Sequence, residues 1–287
     1  MADQFKVACV QTNSTPDVGE NIAAVSQLIR DAANAGADFI ITPENVLQIE
    51  PDKEKQKAAA QTEDSHVGLA AFRALAAETG VWLMAGSLSV RLDGVDGDDR
   101  MANRSYLIAP DGQIAASYDK IHMFDVQIGD GQTYRESHSF RPGANAVLAD
   151  LPWGKLGMTV CYDLRFPHLH RSLAKAGASF LTVPAAFTEK TGEAHWHVLL
   201  RARAIETGCF VFACAQTGTH AAGRRTYGHS LIIAPWGEVL ADAGQDVGFV
   251  MAEIDPAKVD EARGMVPALT HDRDFTLAKV EVAAAAE

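Results

Sequence analysis

The stretch GKLGMTVCYDLRFP, residues 154–167, carries small and apolar residues into Cys161 and follows them at once with Tyr162, Asp163 and Arg165. A structural cysteine needs no such neighbours, whereas a nucleophile at a strand end does. Two further polar residues stand where apolar runs finish: Glu44 closes FIITPE, and Lys120 follows a hairpin-like segment in SYDKIH. A free thiol with a pKa of about 8.5 is only about a few per cent thiolate at neutral pH, so a nucleophilic cysteine wants a base or a cation beside it. A carboxylate such as Glu44 can take the proton if partial burial raises its pKa, and a lysine such as Lys120 can hold a thiolate and then an oxyanion. The backbone N–H of Tyr162, next after the nucleophile, is the natural second oxyanion donor, and one such donor contributes about 3 kcal/mol in a transition state. Together these groups describe acyl transfer through a thioester, with no histidine required. Taken singly, each has a plainer reading: a core cysteine, a loop or helix-start carboxylate, a solvated lysine. Their spacing does not by itself bring them together.

The elements that must position them alternate. FKVACVQ, DFIITPE, VWLMAGS, GKLGMTVCYD, SFLTVPAAF and CFVFACAQ read as buried strands. Between them ENIAAVSQLIRDAANAGA, VGLAAFRALAAETG, HLHRSLAKAGA and EAHWHVLLRARAIETG read as helices. Near-continuous apolar strands separated by amphipathic helices predict a sheet covered by helices. SYLIAPDGQIAAS (105–117) and SLIIAPWGEVLAD (230–242) are echoes of one another, each a strand, a Pro-x-Gly turn and a second strand. Two such hairpins, each after β/α units, suggest two similar halves whose sheets pack face to face with helices outside, a four-layer α-β-β-α sandwich within the α/β class. No linker or low-complexity break divides the chain, so residues 1–287 read as one domain with a core over about 5–275 and an Ala-rich tail, 276–287.

The chain has 287 residues and a formal charge of −12. At this length about 75% of the unfolded chain's surface can be buried, so no disulfide or metal staple is needed. The negative charge argues against nucleic-acid backbones and anionic lipid as partners, since both call for clustered Lys and Arg. A small molecule is the expected partner. Cys9, Cys161, Cys209 and Cys214 match no zinc framework and read as reduced thiols, three of them in apolar core runs. The start MADQFKVACVQ enters a strand pattern with no leader-like segment, and no run approaches the ~18 apolar residues of a membrane span. A cytoplasmic location is the expectation, and no cofactor is implied.

The words around the three polar residues carry a resemblance. FIITPEN, YDKIHMFD and CYDLRFP, in that order, resemble the three signature blocks of the nitrilase superfamily of carbon–nitrogen hydrolases, and the likeness runs from Phe5 to about Phe275. It implies a Glu–Lys–Cys triad with Glu44 as general base, Lys120 as oxyanion cation and Cys161 as nucleophile. Glu136, in YRESHSFRPG, matches a second glutamate that orients the lysine or the substrate. Tyr162 and Arg165 would complete the substrate contacts, Arg165 as a fork for a carboxylate or, alternatively, as a helix-start ion-pair residue. The branch most resembled hydrolyses deaminated glutathione; the ω-amidase branch acting on α-ketoglutaramate shares much of the wording. Ammonia release and a homodimer or higher homo-oligomer are implied in the same way. The polar loop QIGDGQTYRESHSFRPG falls where the family shapes its pocket, and THAAGRRTYGHS carries Arg224 and Arg225, facing either an acidic substrate or solvent. Nitrilases proper carry Trp-Glu after the cysteine, where this chain has Tyr162 and Asp163. Two rivals remain. A metal-dependent amidohydrolase would use His168 and His170, or His195 and His197, but i, i+2 pairs on helices point to different faces. A silent, nitrilase-like binding module is the other.

Overall fold

The computed structural model describes residues 3–92, 94 and 98–279. The first half contains β1 (Phe5–Gln11), α1 (Val18–Asn34), β2 (Phe39–Ile41), α2 (Lys53–Ala59), α3 (Val67–Thr79), β3 (Trp82–Arg91), β4 (Met101–Ile108) and β5 (Ile114–Asp119). A two-stranded ribbon, β6 (Asp125–Val126) with β7 (Tyr134–Arg135), leads to the second half. There follow β8 (Val147–Leu151), β9 (Gly154–Met158), α4 (Pro167–Lys175), β10 (Ala178–Thr182), α5 (Glu189–Thr207) and β11 (Phe210–Ala213). The chain continues through β12 (Thr217–Thr219), β13 (Arg225–Tyr227), β14 (Leu231–Ile233), β15 (Val239–Asp242), β16 (Gly248–Ile254) and α6 (Ala257–Met265).

Two six-stranded sheets form, in the orders β16-β1-β2-β3-β4-β5 and β15-β14-β11-β10-β9-β8. Each has three adjacent parallel strands, β1, β2, β3 in one and β9, β10, β11 in the other. Each is flanked on one side by an antiparallel hairpin (β4–β5, β14–β15) and on the other by one antiparallel strand (β16, β8). The echo in the sequence is therefore an echo in space. Both hairpin turns close alike, with Ala109 N–H on Gln113 O and Ala234 N–H on Glu238 O, each at 2.9 Å. Gly112 and Gly237 adopt the left-handed φ (+78° and +91°) that those turns require.

Side-chain alternation along β1 separates the layers. Val7 and Cys9 join the core shared by the inner faces of both sheets, whereas Ala8 and Val10 pack outward with Val25 and Ile29 of α1 and Phe72 of α3. On the second sheet Leu169 and Leu173 of α4 and Trp196 and Leu200 of α5 cover the outer face. The architecture is the four-layer α-β-β-α sandwich. The two sheets come close at Gly86 in β3, where a Cβ would lie 1.7 Å from Thr42 O and 2.8 Å from Pro184 Cβ. Only glycine lets the segment after β2 approach so closely, and that segment carries Glu44. The expected tail falls mostly outside the described residues; 276–279 are exposed and irregular.

Candidate active site

Four segments converge where strands end. Thr42-Pro43-Glu44 leaves β2, Lys120 follows β5 directly, Pro184-Ala185-Ala186 follows β10, and Cys161 lies three residues beyond β9. The strand was expected to run on into the cysteine. Instead β9 stops at Met158, and Cys161 opens a short 3-10 turn, Cys161–Arg165, with φ of +50°. A non-glycine residue in this region is strained and must be held by its surroundings. The holding group is Asp163, fully buried. Its Oδ2 accepts from Val160 N–H at 2.9 Å and Tyr118 O–H at 2.7 Å, and its Oδ1 accepts from His122 N–H at 3.1 Å and meets His122 Nδ1 at 2.7 Å. Cys161 N–H donates to Pro184 O at 2.9 Å, tying the turn to the neighbouring strand end.

Glu44 and Lys120 are 3% and 2% exposed, so their charges must be paired. Lys120 Nζ donates to Glu44 Oε1 at 2.8 Å and to both oxygens of Glu136, at 2.9 and 2.8 Å. Ala186 N–H donates to Glu44 Oε2 at 2.8 Å. Asn103 Nδ2 bridges the two glutamates, at 2.9 Å from Glu44 Oε1 and 3.1 Å from Glu136 Oε1. Phe124 N–H, at 2.7 Å from Glu136 Oε2, completes the frame.

Electrostatics sort the protons. Burial pushes the Glu44 carboxyl up, but the Lys120 charge, with hydrogen bonds from Lys120, Cys161 and Ala186, outweighs it and holds the group below the usual carboxylate range. Burial acts downward on Lys120, and the Glu136 and Glu44 charges override it, so the ammonium stays protonated. Burial, then the Glu44 charge and the hydrogen bond to it, push the Cys161 thiol well above its ordinary value despite Lys120. These directions favour a neutral thiol beside an ionised carboxylate and a charged ammonium.

Cys161, Glu44, Lys120 and Glu136 all border one open pocket. Tyr162 borders it too, its ring packed edge-on to Phe124 and Phe166 at 5.1 and 5.3 Å. The polar loop after Lys120 contributes Thr133, Tyr134, Arg135 and Phe140 to the wall.

Arg165, expected to contact substrate, is not among the residues that border this pocket. The 3-10 turn carries it behind the wall, where its guanidinium lies 5.2 Å from the Phe187 ring and donates to His195 Nδ1 at 3.3 Å. Arg224 does border the pocket, whereas Arg225 pairs with Glu189 at 2.6 Å. Lys53, from α2, also borders it and went unnoticed in the sequence, as did Asn103. The paired histidines do point apart: His195 faces Arg165, while His197 meets Asp242 at 3.1 Å. Asp242 also holds His229 at 2.9 Å, forming a half-exposed triad that borders none of the catalytic pocket. Cys9, Cys209 and Cys214 are free and buried in the core.

A family model described as carbon–nitrogen hydrolase matches residues 6–264. The chain belongs to the carbon–nitrogen hydrolase family. Among curated relatives, the deaminated glutathione amidase of Synechocystis is 41% identical over 271 residues, covering 93% of this chain and 97% of that one. The human protein of the same name is 39% identical, covering 93% and 82%. The solved structure of the Caenorhabditis elegans NitFhit protein aligns with a TM-score of 0.87 at 36% identity, over 95% of this chain. This chain spans 66% of that longer protein. A Saccharomyces cerevisiae member of branch 10 of the nitrilase superfamily aligns at 0.84 and 28% identity, covering 95% and 97%. The nitrilase-superfamily resemblance and the expected enzyme class, an amidase-type carbon–nitrogen hydrolase, are borne out. Among the described residues no helix is long and apolar enough to cross a membrane.

Proposed function

We propose that this chain is a thiol amidase that cleaves the amide of a small carboxylated substrate through a thioester, with deaminated glutathione as the preferred substrate. The observation that carries the reading is the convergence of Cys161, Glu44 and Lys120 on one pocket, with Lys120 Nζ 2.8 Å from Glu44 Oε1. As Sγ attacks the amide carbon, its proton passes to Glu44. The carbonyl oxygen becomes an oxyanion met by Lys120 and the Tyr162 N–H. Collapse breaks the C–N bond, and the proton on Glu44 goes to the departing nitrogen. Glu44 then takes a proton from water as water attacks the thioester, the C–S bond breaks, and the thiol is restored. Glu136 positions Lys120 between the carboxylates and touches no reacting atom. Four free thiols fit a cytoplasmic location.

The substrate preference is supported by the names of relatives near 40% identity over most of the chain. It changes the expected product. Deaminated glutathione holds only secondary amides, so its hydrolysis frees a peptide amine; ammonia leaves only from a primary amide such as α-ketoglutaramate. Release of α-ketoglutarate serves both substrates as a common readout. Turnover of deaminated glutathione that vanishes in Cys161→Ala, with a lower kcat/KM for α-ketoglutaramate, is expected. The reverse preference moves the chain to the ω-amidase reading, and turnover surviving in a folded Cys161→Ala protein refutes the mechanism.

A further inference from the structure

We propose that Lys53 and Arg224 form a receptor for a carboxylate of the substrate, in the same pocket as Cys161; the proposal rests on the amidase reading above. Two observations carry it. The first is position. Arg224 Nη2 donates to Ala186 O at 3.0 Å, and the N–H of that same Ala186 holds Glu44 Oε2 at 2.8 Å. One residue therefore fixes both the guanidinium and the catalytic base, so the cation stands at a set remove from the reacting thiol. Lys53 borders the same pocket from the first turn of α2, at its exposed rim.

The second is the absence of a counter-charge within the described structure. Arg30, Arg104, Arg171, Lys175 and Arg225 each pair with a carboxylate. Lys53 and Arg224 make no ion pair among the described residues, and Arg224 Nε is buried without any partner. Of the pocket's acids, Glu44 and Glu136 share Lys120. Glu136 receives Lys120, Asn103 and the Phe124 N–H. Glu50, on the same wall, receives the Asp52 N–H at 2.8 Å. Crowding by protein and then the Arg224 charge depress the Lys53 ammonium, with Glu136 opposing, so the two cations repel one another in the empty pocket. A chain of net charge −12 has acids to spare elsewhere. Arg135 borders the pocket as well and bonds only to Tyr134 O, but Arg224 is the cation tied to the Ala186 that holds Glu44, with Lys53 beside it. An anionic ligand completes that pair, since a planar carboxylate fits the guanidinium edge and the ammonium adds a point charge.

The test compares succinamate with its uncharged methyl ester, both primary amides, by ammonia release. Wild type is expected to favour the acid by at least about tenfold in kcat/KM, roughly the 1.4 kcal/mol that a tenfold ratio represents. Lys53→Met and Arg224→Met should each raise KM for the acid by about tenfold and bring the acid-to-ester ratio towards one. Arg225→Met, on the surface beside Glu189, should leave the ratio as in wild type. A ratio unchanged in both pocket variants overturns the proposal. A separate readout stands apart from turnover: glutarate should slow iodoacetamide labelling of Cys161 in wild type and not in the two variants. Equal labelling with and without glutarate in wild type overturns the receptor even where amides are hydrolysed. Protection without hydrolysis of any amide leaves the receptor intact and sinks the amidase reading instead.

Discussion

At the scale of single residues the site is governed by one buried ammonium shared between two carboxylates. Glu44 is held ionised by Lys120 against the pull of burial, so its depressed pKa keeps the base form available at mildly acidic pH. The acid limb of kcat/KM for a carboxylated amide is therefore expected below the ordinary glutamate value of about 4.3, with little loss between pH 7 and 5. A limb near pH 6 would show that burial wins. Glu44→Gln should lower kcat by about 10²–10⁴-fold in a protein of unchanged circular dichroism. Lys120→Met leaves Glu44 and Glu136 facing each other in a dry frame, and is expected to cost about 3–5 kcal/mol in denaturant unfolding as well as activity. The stability sign follows from the directions: Glu44's contribution is present above its unfolded pKa and fades as pH falls through its lowered folded value. That of Lys120, whose folded pKa is raised, is complete below its unfolded pKa and fades only in strong alkali. Arg165 behaves differently, because it supports the Phe187 wall rather than facing the pocket. Arg165→Met should shift acid and ester substrates alike, and selective loss of the acid would return it to the role its sequence position suggested.

At the scale of elements, what positions Cys161 is a turn rather than a strand. Asp163 gathers Val160 N–H, His122 N–H, His122 Nδ1 and Tyr118 O–H, and thereby fixes a cysteine at φ +50°. Asp163→Ala strips the acceptor from buried donors, each worth about 1–3 kcal/mol when left unmade, so a lower midpoint in urea and a fall in kcat are expected together. A normal kcat in that variant would mean the turn holds itself. The strand–helix alternation and the twin Pro-x-Gly hairpins were legible in the sequence because apolar runs and turn residues act locally. Glu44, Lys120, Glu136 and Cys161 were legible through motif words, not through spacing. The ribbon β6–β7 was not, since two-residue strands leave no period to read. Helix α2 was missed for a related reason: KEKQKAA is short and polar, and only the tertiary fold brings Lys53 over the pocket. Gly86 shows the same limit, an ordinary glycine in a strand pattern whose use, admitting Thr42 O at 1.7 Å from an added Cβ, exists only after the β2 and β3 ends meet.

At the scale of the whole molecule, the helices that cover the second sheet leave an apolar face open. Ile205 at the end of α5, Trp236 in the β14–β15 turn, and Met265 and Val266 at the end of α6 are 56, 53, 57 and 55% exposed. Ile205, Trp236 and Val266 border one groove with Leu269. Large apolar side chains gathered this way on an otherwise acid-rich chain suit an association surface. We propose a second copy of the chain as its occupant, in line with the homodimer or higher homo-oligomer that the family resemblance leads one to expect. A stable pair needs about 800 Å² buried on each partner, which this face can supply only with neighbouring residues of α5, such as Val198, 68% exposed. Light scattering should give twice the monomer mass at micromolar concentration. Ile205→Glu with Trp236→Glu buries two charges at the centre of such a contact and should yield a monomer, since an unpaired buried charge costs several kcal/mol. The pocket around Cys161 opens among residues of α2, the β6–β7 loop, the segment after β10 and the first turn of α5 at Thr191, none of which borders the groove. The monomeric variant should therefore keep its kcat while losing thermal stability. A wild-type monomer, or a double variant that remains dimeric, would place the interface elsewhere; a monomer with lost kcat would mean that pairing also braces α5 and, through it, the Phe187 wall.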